Sequence, residues 1–290
     1  MTQIIERFAE ISGQYDAAFV DLWGCLHNGI TAFPEAISAC QTFREAGGAV
    51  VLVTNAPRPR AHVEAQIARL GIPDDAWDTI TTSGDSARAA MFWGAVGEKV
   101  WYVGEPRDLS FFEPLHLIED PVQITRVPLA EAEGIVCCGP EEPHADPAVY
   151  RPQFLLAKTK GLKLLCANPD IVVDRGDRRE WCAGALAELY TEMGGESLYF
   201  GKPHPPIYDL ARMRLAATGQ APSDPRIVAV GDGLLTDILG AQQEDIDSLF
   251  ITGGLAAEET GTGEHPDPAR LAGYLDGKDV TPSYAMGRFR

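Results

Sequence analysis

The sequence has no excess of positive charge. Against 42 Asp and Glu stand 24 Lys and Arg, a formal net charge of −18. Such a chain repels nucleic acid and anionic membrane surfaces, so any phosphate site must be built locally from backbone N–H groups, a lysine or a metal ion. Nor does the sequence hold an apolar run approaching the ~20 residues that cross a bilayer. The six cysteines, Cys25, Cys40, Cys137, Cys138, Cys166 and Cys182, include no C-x-x-C pair and mostly sit in apolar runs. That pattern reads as reduced core residues and not as a disulfide framework or zinc site. The segment through Asp16 carries acid and lacks a basic stretch ahead of an apolar one, so it is not read as a signal peptide, and a cytoplasmic location is expected. No G-x-G-x-x-G joins the first strand to its helix, which removes a dinucleotide-binding reading. No internal repeat is visible.

What is present suits a two-lobed α/β protein: 290 residues, 45% of them hydrophobic. A short opening helix is expected over Ile4 to Ile11. Buried strands are expected at Ala17–Leu22, Ala49–Val53, Lys99–Val103, Gly134–Gly139, Leu162–Ala167, Arg226–Val230 and Ser248–Thr252, as short apolar runs closed by Gly, Asn or Asp. Between them, helices are expected at Glu35–Ala46 behind Pro34, Ala61–Leu70, Ser86–Trp93, Asp146–Thr159, Ala183–Met193, Pro206–Ala217, Ile238–Gln243 and Pro268–Leu275. Strand, helix and strand in succession form right-handed βαβ units. The expected architecture is a doubly wound parallel, Rossmann-like core sheet built from 1–80 and 196–290, with a smaller α/β domain inserted over 81–195.

Four pieces fall at strand ends or just beyond: Asp21, Thr54-Asn55, Lys202, and Asp232 with Asp237. Open α/β sheets bind ligands at that edge. Each piece alone reads equally as a helix cap, an Asx turn or a solvated loop residue. Together they supply what phosphoryl transfer requires. Two carboxylates can hold Mg²⁺ through oxygen ligands. A Thr hydroxyl, loop N–H groups and a Lys can hold phosphoryl oxygens. A carboxylate in line with phosphorus can attack it to give an aspartyl-phosphate.

The order Asp21, Thr54-Asn55, Gly201-Lys202-Pro203, Gly231-Asp232 and Thr236-Asp237 resembles the haloacid dehalogenase superfamily. The long insert before Gly201, and Asn168-Pro169-Asp170 followed by Gly184-Ala185-Leu186, resemble its class IIA branch, sugar-phosphatase-like proteins with an α/β cap. The resemblance runs to about Gly254. It implies Asp21 as nucleophile and Mg²⁺ ligand, with the backbone carbonyl of Trp23 and the Asp232 carboxylate as further ligands. It also implies Thr54 and Asn55 as phosphate-binding, Lys202 as the bridge from phosphate to Asp21, and Asp237 as support for the metal shell. The inserted region would be the cap that covers the site and recognises the leaving group.

One departure stands out. The family's phosphatases usually carry, two residues after the nucleophile, an Asp that protonates the leaving oxygen. Here that residue is Trp23, and an indole N–H is a donor only. His27, on the same loop, is the candidate replacement proton donor. Cys25 reads as a small apolar residue facing the core. The leading expectation is a Mg²⁺-dependent phosphohydrolase of small phosphorylated metabolites, of sugar-phosphate or nucleotide-monophosphate type, slowed by Trp23. No nucleic-acid or membrane partner is expected, and a homodimer is compatible. The alternative is a catalytically weak phosphoryl-ligand-binding or regulatory protein. Carbon–halogen hydrolysis, which the superfamily also performs, is opposed by the retained Asp232.

Overall fold

The computed structural model describes residues 2–114 and 120–290. Its larger sheet has seven strands, all parallel, in the order Gln3–Ile4, Tyr284–Met286, Asp247–Ile251, Ile227–Gly231, Ala17–Val20, Ala49–Thr54 and Thr79–Thr82. Successive side chains of a strand point to opposite faces, and here both faces are buried. Ala18, Val20, Val50 and Leu52 pack on one face against Ala36, Cys40 and Phe43 of helix Pro34–Glu45 and Val63 and Ile67 of helix Arg60–Arg69. Ala17, Phe19, Ala49, Val51 and Val53 pack on the other against Ile207, Tyr208, Ala211 and Leu215 of helix Pro205–Thr218. This two-sided burial is why the strands read as unbroken apolar runs.

A second, five-stranded parallel sheet is inserted, in the order Glu196–Tyr199, Lys163–Cys166, Gly134–Cys137, Lys99–Val103 and Thr125–Arg126. Helix Ser83–Phe92 carries the chain across. The Thr82 side chain accepts the Asp85 N–H at 2.9 Å, so this helix begins three residues before the expected Ser86. Its Ala87, Met91 and Phe92 pack against Val100, Val136 and Leu165 of the second sheet.

Four expectations need correction. The opening helix is a two-residue edge strand followed by 3₁₀ turns at Phe8–Glu10 and Ser12–Gln14. Ile5, Phe8 and Ile11 are buried, and a spacing of three serves such turns as well as a helix. The larger sheet does not finish at Thr252, because Tyr284–Met286 adds beside Asp247–Ile251. Glu196–Tyr199 pairs with Lys163–Cys166, so the chain rejoins the larger sheet after Tyr199 and not at 196. Finally, Val172–Arg175 and Arg178–Trp181 form an antiparallel hairpin, not anticipated, around the loop Gly176-Asp177. All six cysteines are free and buried. No helix among the described residues is long and apolar enough to cross a membrane.

Candidate active site

Strands Ala17–Val20, Ala49–Thr54 and Ile227–Gly231 are neighbours in register, Val20 lying opposite both Leu52 and Val230. Their carboxyl ends therefore deliver Asp21, Thr54 and Asp232 to one edge. The chain returning from the smaller sheet brings Lys202 to the same place. Its Nζ donates to Asp21 Oδ1 at 2.7 Å, to Asp237 Oδ1 at 2.7 Å and to the Val53 carbonyl at 2.8 Å. The carboxylates of Asp21, Asp232 and Asp237 all offer oxygens within 4.8 Å of one another, and all three residues are buried.

Glycines make room for this crowding. A Cβ at Gly24, whose φ of 74° is already in the left-handed region, or at Gly254 would collide with the Asp232 carboxylate, and one at Gly231 with Asp237. The Leu255 N–H reaches Asp232 Oδ2 at 3.2 Å, and the Gly233 N–H reaches Asp237 Oδ2 at 3.2 Å. The second oxygen of Asp21, Oδ2, and Oδ1 of Asp232 carry no hydrogen bond among the described residues.

Three buried carboxylates face one ammonium. Burial pushes the Asp21 carboxyl up to about 7, although the Lys202 charge opposes the rise. Burial, then the charges of Asp21 and Asp237, hold Asp232 well above the usual carboxylate range. Burial alone would lower Lys202, but Asp21, Asp237 and Asp170 overcome it and hold the ammonium well above its ordinary value. The pocket is thus short of positive charge and offers only oxygen donors, so a hard dication of the Mg²⁺ type fits the residues present.

The other predicted site residues divide. Thr54 and Trp23 line the cleft, whose volume is about 730 Å³. The Thr54 hydroxyl accepts the Ala56 N–H at 3.2 Å and keeps its own proton to donate. Asn55 is not among the residues that line the cleft. Its Oδ1 takes the Lys202 N–H at 2.7 Å, and its Nδ2 donates to the Lys202 carbonyl at 3.1 Å and to Asp170 Oδ1 at 2.8 Å. Asn55 therefore positions Lys202. His27 is also not where a proton donor must be. It is 0% exposed and lies outside the cleft lining. Its Nδ1 accepts the Gly29 N–H at 3.0 Å, its Nε2 has no partner, and burial followed by the nearby Arg175 charge lowers it to about 4. Cys25 faces the core as expected.

Sequence reasoning missed the opposite wall. Asp170, four residues beyond strand Lys163–Cys166 of the smaller sheet, lines the cleft, and burial raises it to about 6 against the pull of Lys202 and the Asn55 hydrogen bond. The strand-end signal that singled out Asp21 was present there too. Arg175 of the hairpin sits 5.3 Å over the Trp23 ring and donates to Glu180 at 2.9 Å. The Gly176 N–H reaches the Asn28 carbonyl at 3.1 Å, and a Cβ at Gly29 would strike the Trp23 ring, so hairpin and loop fit closely. Arg58 pairs with Asp108 at 3.3 Å, and Arg107 with Glu105. The two-residue Gly176-Asp177 loop between paired runs was the available sign of the hairpin.

Comparison with known proteins then decides the family. The structure of a haloacid dehalogenase-like family hydrolase from Brucella suis 1330 is 36% identical, with a TM-score of 0.85 over 99% of this chain and 100% of that one. The chain belongs to the haloacid dehalogenase-like hydrolases. Family models agree: one described as haloacid dehalogenase-like hydrolase matches residues 18–117, and one described as HAD-hydrolase-like matches 199–277. Ribonucleotide monophosphatase NagD of Escherichia coli (strain K12) is 25% identical over 238 residues, 82% of this chain and 87% of that protein. A possible sugar phosphatase of the HAD superfamily from Cytophaga hutchinsonii shares the fold at a TM-score of 0.77 and 19% identity, over 99% of this chain and 98% of that one. For a haloacid dehalogenase-like hydrolase, the smaller α/β unit is the cap.

Proposed function

We propose that this hydrolase is a Mg²⁺-dependent phosphatase of small phosphorylated metabolites, of sugar-phosphate or nucleotide-monophosphate type, acting through an aspartyl-phosphate on Asp21. The observation that carries the reading is the buried Lys202 ammonium bridging Asp21 and Asp237 beside Asp232. The phosphatase names of the NagD and Cytophaga relatives support the same class.

Asp21 Oδ2 and Asp232 Oδ1, with the Trp23 backbone carbonyl, would hold the ion, and Asp237 would steady that shell. The bound ion would offset the charge between a dianionic ester and the carboxylates. The Lys202 charge favours the ionised form of Asp21 against the effect of burial, its hydrogen bond holds the carboxylate in place, and it would bind a phosphoryl oxygen. The Thr54 hydroxyl would donate to another. Asp21 would then attack phosphorus, and water would later release phosphate from it. Domains would divide as a core of 1–82 and 200–290 and a cap between them, whose arginine–carboxylate pairs would face the leaving group.

Phosphate release from a panel of sugar phosphates, nucleotide monophosphates and p-nitrophenyl phosphate, with Mg²⁺ or with EDTA, tests this. Turnover in Mg²⁺ that EDTA abolishes is expected. A folded protein that binds Mg²⁺ yet hydrolyses nothing on the panel would move the weight to the second reading, a phosphoryl-ligand binder. The specific observation favouring that reading is Trp23 in the usual acid's position, with His27 buried and withdrawn.

A further inference from the structure

If residue 23 cannot supply a proton, another group lining the cleft has to. The wall holds six carboxylates besides the three around Lys202: Glu35, Glu105, Asp108, Asp170, Asp174 and Glu180. Four of them are paired with arginine: Glu105 with Arg107, Asp108 with Arg58 at 3.3 Å, Asp174 with Arg179 at 2.8 Å and Glu180 with Arg175 at 2.9 Å. An adjacent guanidinium favours the ionised form and opposes proton donation; at Asp108 burial outweighs that pull and raises the carboxyl, but Arg58 and Arg107 both face it. Glu35 is exposed on the first turn of its helix. Among the described residues no histidine or tyrosine lines the cleft, and Lys202 is committed to three hydrogen bonds. Asp170 alone is held by a neutral partner, the Asn55 amide at 2.8 Å, which leaves its Oδ2 with no hydrogen bond among the described residues.

Asp170 is also placed for the task. It comes from the cap, the leaving-group side. Through one side chain, Asn55, it is tied to Lys202, which touches the nucleophile. We propose that Asp170 is the general acid of this phosphatase, taking over from the cap the role that Trp23 cannot fill from the core. The inference rests on the phosphohydrolase reading. As Asp21 bonds to phosphorus, the bond from phosphorus to the leaving oxygen breaks, and the Asp170 proton passes to that oxygen to release an alcohol. The Asp170 carboxylate then takes a proton from the water that attacks the phosphorus of phospho-Asp21, and Asp21 leaves as carboxylate. Burial that raises this carboxyl to about 6 supports the assignment, since a donor must be protonated part of the time near neutrality.

The test is kcat/KM across phosphate monoesters graded from p-nitrophenyl phosphate, whose leaving group needs no proton, to simple alkyl phosphates, for the wild type and Asp170→Asn. kcat/KM reads only through the first chemical step, so the later water step does not blur it. Asparagine keeps the oxygen that accepts from Asn55. The wild type should vary little along the series, and Asp170→Asn should lose roughly 10²-fold or more at the alkyl end with a much smaller loss on p-nitrophenyl phosphate. Equal losses at both ends, no loss at either, or a steep dependence already in the wild type would overturn the proposal; the last needs no variant at all. A wild type that hydrolyses none of the series would instead sink the phosphatase reading on which it stands.

Discussion

The floor and the roof of the cleft solve opposite electrostatic problems. On the floor, Asp21, Asp232 and Asp237 crowd around a single Lys202, and glycines at 24, 231 and 254 let the backbone approach them. Negative charge is left in excess there. On the roof, Arg107 and Arg175 each meet a carboxylate, Arg58 reaches from the core to Asp108 there, and Arg175 also lies over Trp23. Charge is nearly balanced there, and the pairs span hairpin, loop and turn. A charge-deficient floor is built to be completed by a cation. A self-paired roof can stand without a ligand and rearrange its partners around one. On the proposed reading the phosphoryl group is handled by the floor, while the roof supplies Asp170 and faces the leaving group.

The sharpest way to break the contrast is to remove the floor's cation, Lys202. Lys202→Met leaves Asp21 and Asp237 facing each other in a buried pocket. Phosphatase turnover should fall roughly 10²–10³-fold, the scale for losing one preorganised electrostatic contact. The variant should also lose about 3–5 kcal/mol at neutral pH by urea denaturation, the scale for orphaning a buried charge.

Next in size is the pH dependence of the metal-free protein. Asp21, Asp170 and Asp232 all have folded values raised above those of the unfolded chain. The folded state then binds more protons between the two values, so stability falls as pH rises through that window. In EDTA the melting temperature should drop from roughly pH 4 through at least the Asp21 value of about 7. Mg²⁺ should flatten this slope, and a rise in EDTA over the same range would contradict the charge-deficient floor.

Asp232→Asn sharpens the point. With Mg²⁺ at a hundred times its dissociation constant, the wild type should gain about 2.7 kcal/mol in thermal melts. The variant should lose that gain, yet melt no lower than wild type in EDTA, because it has shed a repelling carboxylate. The smallest effect belongs to the roof. Arg175→Ala gives up its place over Trp23, worth about 1 kcal/mol, and should raise KM about fivefold with kcat little changed.

The same contrast explains what could be read from the sequence. Floor residues end apolar runs, so a strand pattern with one carboxylate or a Gly-Asp after it places them at a shared edge. Asp21 and Asp232 were legible for that reason, and Lys202 through its place in the motif order. For Asn55 motif order names the residue but not the side-chain direction: its amide turns inward to Lys202 and Asp170. His27 misled for the same reason, since four residues along a loop can lead into the core. Roof pairs such as Arg58–Asp108 join residues fifty apart, and no local period announces them. The strand Tyr284–Met286 was hidden because three residues carry too little pattern.

The central claim is that the floor carries a phosphoryl group on Asp21. Rapid acid quench during turnover of p-nitrophenyl phosphate, followed by peptide mass analysis, reads it directly. A phosphoryl adduct is predicted on the peptide containing Asp21, present with Mg²⁺ and absent in EDTA and in Asp21→Asn, which should also lose turnover. Turnover that persists in Asp21→Asn, or an adduct on any other residue, would contradict the account.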